Sequence, residues 1–319
     1  MSRIFDALQR SGVEKAGVEY PDVVSVITEF LEVPALEVQP ASPQPTESAP
    51  PELPRPELRI EELRPDVLDI QKPTSHELSE FPSLSVSLTT ASRLVFFTEP
   101  DSLAAEKFRF LGVRLRQIQQ SRSLKKVLVT STIPEEGKSF VSANLAGVLA
   151  RRKQKVLLIE GDLRRPTLSK LFGVEKLVGL GEWLQGDRQR LNNIYRLDGP
   201  GLWLMPAGVP PTNPLELMQS GSLSHLMTQL TAMFDWIIVD SPPLLPLADT
   251  TVWSRMTDGT LLVAREGTTQ KAMLERGLQT IKKSELLGVV LNGCTDSHGK
   301  NYYQSYLTPG ASKPLQQLP

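Results

Sequence analysis

The stretch Lys126-Val127-Leu128-Val129-Thr130-Ser131-Thr132-Ile133-Pro134-Glu135-Glu136-Gly137-Lys138-Ser139-Phe140 decides the fold. Its first half is an apolar run with β-branched members and predicts a buried strand. The run breaks at a polar loop, and Gly137-Lys138-Ser139 then opens an amphipathic segment, Val141 to Arg151, that predicts a helix. Strand, loop, Gly-Lys-Ser and helix in that order is the context of a phosphate-binding P-loop. Backbone N–H groups of such a loop and of the helix N-terminus converge on one spot and favour an anion there. Lys138 is then placed to reach β- and γ-phosphates, and the Ser139 hydroxyl to ligate Mg²⁺. The loop departs from G-x-x-x-x-G-K-S at its first position, where Thr132 replaces glycine.

Two acidic strand ends accompany the loop. The apolar run Val156 to Ile159 ends in Glu160-Gly161-Asp162-Leu163-Arg164-Arg165-Pro166, and Trp236 to Val239 ends in Asp240-Ser241-Pro242-Pro243. Asp240 fits the second acidic motif of a P-loop NTPase, which holds Mg²⁺ directly or through water. An aspartate after a buried strand also commonly caps a helix. Glu160 and Asp162, two residues apart on an extended chain, are expected to point the same way, toward the Mg²⁺–phosphate site. A carboxylate there can accept a hydroxyl proton from an attacking nucleophile. The competing expectation is that Arg164 or Arg165 simply pairs with Asp162.

Outward from these motifs the pattern alternates. Arg93 to Phe97 predicts a strand, Glu99-Pro100-Asp101 a turn, and Ser102 to Gln119 a helix with Ser102 as N-cap. Leu202 to Pro206 predicts a strand and Pro214 a helix start. Gly259 to Ala264 and Leu287 to Leu291 predict strands separated by a helix over Thr268 to Lys283. The fold class is α/β, a doubly wound, mainly parallel sheet from about residue 90 onward, with ligands at the carboxyl ends of the strands.

Upstream, Ser2 to Arg10 is a short amphipathic pattern and Val23 to Leu31 an apolar cluster that could form a short helix. From Pro34 to Pro73 the chain is dense in proline and glutamate, without aromatics or glycine. Such a stretch buries too little apolar surface to offset its ordering entropy and is expected to be a disordered linker. The expected organisation is therefore a short docking segment over 1–33, a linker over 34–91, a P-loop domain over 92–296 and a tail over 297–319. That tail holds Tyr302, Tyr303 and Tyr306, three of the chain's five tyrosines.

The composition narrows the class. A net charge of −1 over 319 residues gives no footprint for a nucleic-acid partner. The single cysteine, Cys294, excludes an internal disulfide framework and fits a reducing compartment. Met1 to Phe5 lacks the apolar core of a signal peptide, and no apolar run approaches the roughly 18 residues that span a bilayer. The expectation is a soluble, intracellular chain. The three histidines show no metal spacing.

Taken together, Thr130-Ser131-x-x-Pro134-x-Glu136-Gly137-Lys138-Ser139, Asp162-Leu163-Arg164-Arg165-Pro166 and Asp240-Ser241-Pro242-Pro243 resemble the bacterial tyrosine kinases of capsule and exopolysaccharide synthesis, which carry Walker A, A′ and B motifs. The resemblance covers about Arg93 to Tyr306. It implies ATP and Mg²⁺ as cofactors, with nucleotide contacts from Thr132, Pro134, Glu136, Gly137, Lys138, Ser139, Phe140 and Asn292. It implies metal contacts from Ser139, Asp162 and Asp240, and catalytic roles for Lys138, Glu160 and Asp162. It further implies autophosphorylation of Tyr302, Tyr303 and Tyr306 in trans within a ring-shaped homo-oligomer. The implied partners are a transmembrane chain-length regulator at the inner face of the membrane and a cognate tyrosine phosphatase.

Three departures accompany the resemblance. Glu135 stands where the family usually has glycine, and Glu160 where it usually has aspartate. The ring-building motif Glu-x-x-Arg-x-x-Arg reads Glu106-x-x-Arg109-x-x-Gly112. Two other functions stay open on sequence: a nucleotide-binding scaffold that has lost kinase activity, and an ATPase switch of the septum-site or chromosome-partition class. The latter class carries a lysine where this chain has Ile133.

Overall fold

The computed structural model describes residues 92–294, except 152, 175, 187–190, 199–200 and 246, together with 27–29, 78, 81–86 and 88. The amphipathic stretch 2–10, the proline-rich stretch 34–73 and the tail with Tyr302, Tyr303 and Tyr306 lie outside the described residues.

The described strands are β1 (Ile27–Glu29), β2 (Ser83–Leu84), β3 (Lys126–Ser131), β4 (Val156–Glu160), β5 (Tyr195–Leu197), β6 (Leu202–Met205), β7 (Trp236–Asp240), β8 (Gly259–Arg265) and β9 (Leu286–Asn292). They form one sheet in the order β1-β9-β8-β3-β7-β4-β6-β5-β2. The six from β9 to β6 run parallel to one another, whereas β1 and β5 pair antiparallel with β9 and β6. The helices are α1 (Val95–Thr98), α2 (Leu103–Ser121), α3 (Lys138–Ala150), α4 (Leu168–Leu171), α5 (Leu180–Gln185), α6 (Pro214–Gln219), α7 (Ser222–Met233), α8 (Asp249–Met256) and α9 (Lys271–Thr280).

Helices cover both faces of the central strands, which is why β4 and β7 are buried throughout and apolar up to their terminal carboxylates. Alternate residues feed two cores, as the two-residue period of a strand requires. Val127, Val129, Val156, Leu158 and Ile238 pack on one side with Phe108, Leu111 and Leu115 of α2 and Leu145 and Leu149 of α3. Leu128, Leu157, Ile159, Ile237 and Val239 pack on the other with Trp183, Leu226, Leu230 and Trp253. Ser102 caps α2 as expected, accepting the Ala105 N–H at 3.1 Å.

Two expected elements differ. Arg93 to Phe97 is not a strand. Phe97 and Thr98 N–H groups bond the Leu94 carbonyl, closing the single turn of α1, while Phe96 N–H bonds the Asn144 side chain of α3 at 3.0 Å. Leu94, Val95 and Phe96 thus bury against a helix rather than a sheet edge. The apolar cluster around Val23 to Leu31 contains strand rather than helix: β1 aligns Ile27 with Leu291, Thr28 with Val290 and Glu29 with Val289. Its β-branched residues suit a strand, and β9 would otherwise present an unpaired edge.

Packing onto the domain begins upstream of residue 92. Leu78 is buried, Phe81 packs on the same core, and Ser83 and Ser85 bond the Asp198 carboxylate. On α2, Glu106 and Arg109 form an ion pair at 2.5 Å, and Gly112 is buried against α3. A Cβ at Gly112 would meet Val148 Cγ1 at 2.8 Å, so the missing arginine of that motif coincides with a close helix–helix approach.

Candidate active site

The P-loop, the Asp162 loop and Asp240 follow the carboxyl ends of β3, β4 and β7, which are adjacent in the order β3-β7-β4. Glu160 and Asp240 are register partners on β4 and β7. These ends open into a cleft of about 920 Å³.

Gly137 turns the loop into α3 with φ +92°, a left-handed conformation that favours glycine. A Cβ there would also meet Asn292 Nδ2 at 2.1 Å. Asn292 uses that amide to hold the Glu136 carbonyl at 2.9 Å, which leaves its buried Oδ1 without a hydrogen-bond partner. Pro134, Gly137, Lys138, Ser139, Phe140 and Asn292 line the cleft.

The side chains of Thr132 and Glu136, both expected to contact nucleotide, are buried and do not line the cleft. Glu136 is fully buried, and its carboxylate accepts the Thr132 N–H at 2.7 Å, the Ile133 N–H at 2.9 Å and the Thr269 hydroxyl. Burial raises its pKa, and the bonds from Thr269, Ile133 and Thr132 pull it back down. Glu136 therefore braces the loop by taking up two of its N–H groups. The Thr132 side chain faces Gly277 of α9. Glu135 is exposed and holds φ +67°, which explains why glycine suits this position; its carbonyl accepts Arg265 Nη1 at 3.2 Å.

The carboxylates divide by role. Asp162 is nearly buried and accepts Lys138 Nζ at 3.2 Å on one oxygen and the Arg165 N–H at 3.0 Å on the other. Arg164 pairs with Asp249 rather than Asp162, at 2.6 Å from its Nε, and this pairing raises the already high pKa of the guanidinium. Glu160 does not share the direction of Asp162. Strand β4 ends at Glu160, so the two-residue alternation stops there. Its buried carboxylate accepts the Leu168 N–H at 2.5 Å, the Ser169 hydroxyl at 2.7 Å and the Ala207 N–H at 3.1 Å. It does not line the cleft; it clamps the loop after β4 to the loop after β6.

Asp240 is fully buried close to Lys138 and Ser139 and does not itself line the cleft. Its Oδ1 accepts the Ser142 hydroxyl at 3.2 Å, whereas Oδ2 has no hydrogen-bond partner. Burial pushes its pKa up to about 7. The Lys138 charge and the Ser139 hydroxyl oppose that rise, and the Glu160 and Asp162 charges add to it. An orphaned carboxylate oxygen beside a P-loop serine fits a hard cation. Among the described residues no cluster of three or more His, Cys, Asp or Glu could hold a metal alone, so Mg²⁺ here would complete its shell with phosphate and water.

Sequence reasoning passed over Thr167, whose hydroxyl donates to Ser139 Oγ at 2.7 Å. It also passed over Arg265, which follows the apolar run of β8 into the cleft. The signal available for both was a polar residue just past a recognised motif or strand.

The family model described as the CobQ/CobB/MinD/ParA nucleotide binding domain matches residues 127–309. The tyrosine-protein kinase YwqD of Bacillus subtilis is 35% identical over 202 residues, covering 63% of this chain and 85% of that protein. The putative tyrosine-protein kinase CapB of Staphylococcus aureus is 30% identical over 220 residues, covering 68% and 96%. The tyrosine-protein kinase ptk of Acinetobacter johnsonii is 35% identical over 193 residues, but the match spans only 26% of its length. Among solved structures, the kinase domain of the Escherichia coli tyrosine kinase ETK superposes with a TM-score of 0.60 at 32% identity, covering 63% of this chain and 79% of that one. The chimerical protein CapA2B2 also gives 0.60, at 27% identity, covering 68% and 98%. This chain belongs to the CobQ/CobB/MinD/ParA nucleotide-binding family and, within it, to the bacterial tyrosine-protein kinases.

Proposed function

We propose that the chain is an ATP- and Mg²⁺-dependent protein tyrosine autokinase of capsule or exopolysaccharide synthesis, which transfers phosphate to Tyr302, Tyr303 and Tyr306 of a neighbouring copy. The observation that carries this reading is the Lys138–Asp162 pair at 3.2 Å, set in one cleft with Ser139, with the orphaned Oδ2 of Asp240 buried close to Lys138 and Ser139. Lys138 would serve the β- and γ-phosphates of a bound nucleotide, and the Oδ2 of Asp162 would then accept the tyrosine hydroxyl proton or hold a metal-bound water. Ser139 and Asp240 are the residues that would hold Mg²⁺, which neutralises charge on the transferring phosphoryl group.

Glu160 acts in this scheme as a positioning residue for the loop that carries Asp162 to Thr167. Ile133 supports the kinase over the ATPase switch, since no second lysine enters the loop at that place. The membrane-embedded chain-length regulator, recruitment to the inner face of the membrane and a cognate phosphatase belong to the same proposal. Among the described residues no helix is long and apolar enough to cross a membrane.

Transfer between chains is tested by mixing a Lys138→Met chain, intact in its tail, with a chain whose three tail tyrosines are Phe. Phosphate on the Lys138→Met chain is expected. Labelling of wild type alone, with neither variant labelled in the mixture, would show transfer within one chain instead.

A further inference from the structure

We propose that Thr167 belongs to the Mg²⁺ site, its hydroxyl serving as a second neutral oxygen ligand beside that of Ser139. The inference rests on the nucleotide-dependent reading above and deepens it. Thr167 occupies the N-cap position of α4, where a threonine ordinarily accepts an N–H of its own helix. Here it makes no capping bond. The first helical N–H, from Leu168, goes across the loop to Glu160, and the Ser169 hydroxyl goes to the same carboxylate. The Thr167 hydroxyl instead faces the cleft and donates to Ser139 Oγ at 2.7 Å.

Neighbouring oxygens around an octahedral Mg²⁺ with bonds of 2.0–2.1 Å lie about 2.9 Å apart. The hydrogen bond at 2.7 Å holds the two hydroxyl oxygens close to that spacing, so ligating one cation would require little movement of either. A serine hydroxyl offers one proton and two lone pairs, and so does a threonine hydroxyl. Thr167 would hold the cation through an Oγ1 lone pair, its proton turning away from Ser139. No covalent bond changes. Thr167 is also held between two tethers: Asp162 Oδ1 on the Arg165 N–H, and Glu160 on the Leu168 N–H. Ligands presented from such a fixed loop lose little freedom on binding.

The test uses the full chain with a fluorescent N-methylanthraniloyl-ADP, titrated with Mg²⁺, and repeated in EDTA. Thr167→Val is expected to raise the half-saturating Mg²⁺ concentration at least about tenfold, as loss of a metal-site partner does. Its affinity for the nucleotide in EDTA should match wild type within about twofold on the same reasoning. Thr167→Ser, which keeps the hydroxyl, should restore the wild-type Mg²⁺ requirement. An unchanged Mg²⁺ requirement in Thr167→Val overturns the inference, as does an equal loss of affinity in EDTA, which marks a structural role only. A wild-type chain that gains no affinity from Mg²⁺ overturns the kinase reading itself, so the two failures are told apart.

Discussion

Asp240→Asn should stabilise the ligand-free protein at pH 8 while abolishing its Mg²⁺-dependent nucleotide binding. Asp240 is fully buried with one oxygen unpartnered, and burial raises its pKa from 3.8 to about 7. Because the folded pKa lies above the unfolded one, the stability linked to its protonation is complete below about pH 4 and lost as pH climbs to about 7. A rise of roughly three units, at about 1.36 kcal/mol each, puts the cost of the ionised group at pH 8 on the order of 4 kcal/mol. The asparagine amide must find an acceptor in the same site, which offsets part of the gain and leaves about 2 kcal/mol. For a domain of this size that corresponds to a melting temperature higher by about 4–8 °C. Scanning calorimetry in EDTA at pH 8 and pH 5 is the assay. The gain should shrink markedly at pH 5, where folded wild-type Asp240 is already protonated. A variant that melts at or below wild type at pH 8, or a gap of equal size at both pH values, would refute the account of Asp240 as a charge buried for the metal.

Three further outcomes follow from the loop and the domain edge. Glu135→Gly removes a left-handed glutamate worth about 1 kcal/mol of strain, so the melting temperature should rise by a few degrees with nucleotide affinity undiminished; a lower melting temperature would contradict the reading of φ +67°. Glu136→Ala leaves the buried Thr132 and Ile133 N–H groups without their acceptor, at about 1–3 kcal/mol each. Thermal melts and nucleotide titrations should both weaken, and intact nucleotide affinity would show that the brace is dispensable. Deletion of residues 1–77 uncovers the β9 edge that β1 pairs and should lower the melt modestly, whereas deletion of 1–91 also removes Leu78 and Phe81 from the core and should cost about 2–4 kcal/mol more. Equal melts for the two truncations would show that those contacts carry no stability.

The parallel core of the sheet was legible because its strands are buried on both faces and read as unbroken apolar runs. Strands β1, β2 and β5 were not, being two or three residues long and fixed by their partners rather than by any periodicity. The turn at Val95–Thr98 has a strand-like composition, and what makes it helical is a side chain 48 residues away, Asn144. At the site, spacing identified Lys138, Ser139, Asp162 and Asp240 because the P-loop pattern ties each to the phosphates or the metal. Spacing could not say which way Thr132 and Glu136 face, since that depends on Thr269 and Gly277, which follow more than a hundred residues later. For Glu160 the alternation rule failed for a definite reason: it holds inside a strand, and β4 stops at that residue.

The account's central claim is that this cleft moves phosphate onto tyrosine. Purified protein incubated with γ-labelled ATP, with and without Mg²⁺, and then mapped by peptide is the most direct test. The account predicts Mg²⁺-dependent phosphotyrosine at Tyr302, Tyr303 and Tyr306, and none in a Lys138→Met chain alone that binds or turns over no nucleotide. Release of free phosphate with no labelled tyrosine, or undiminished labelling of the Lys138→Met chain, would contradict it.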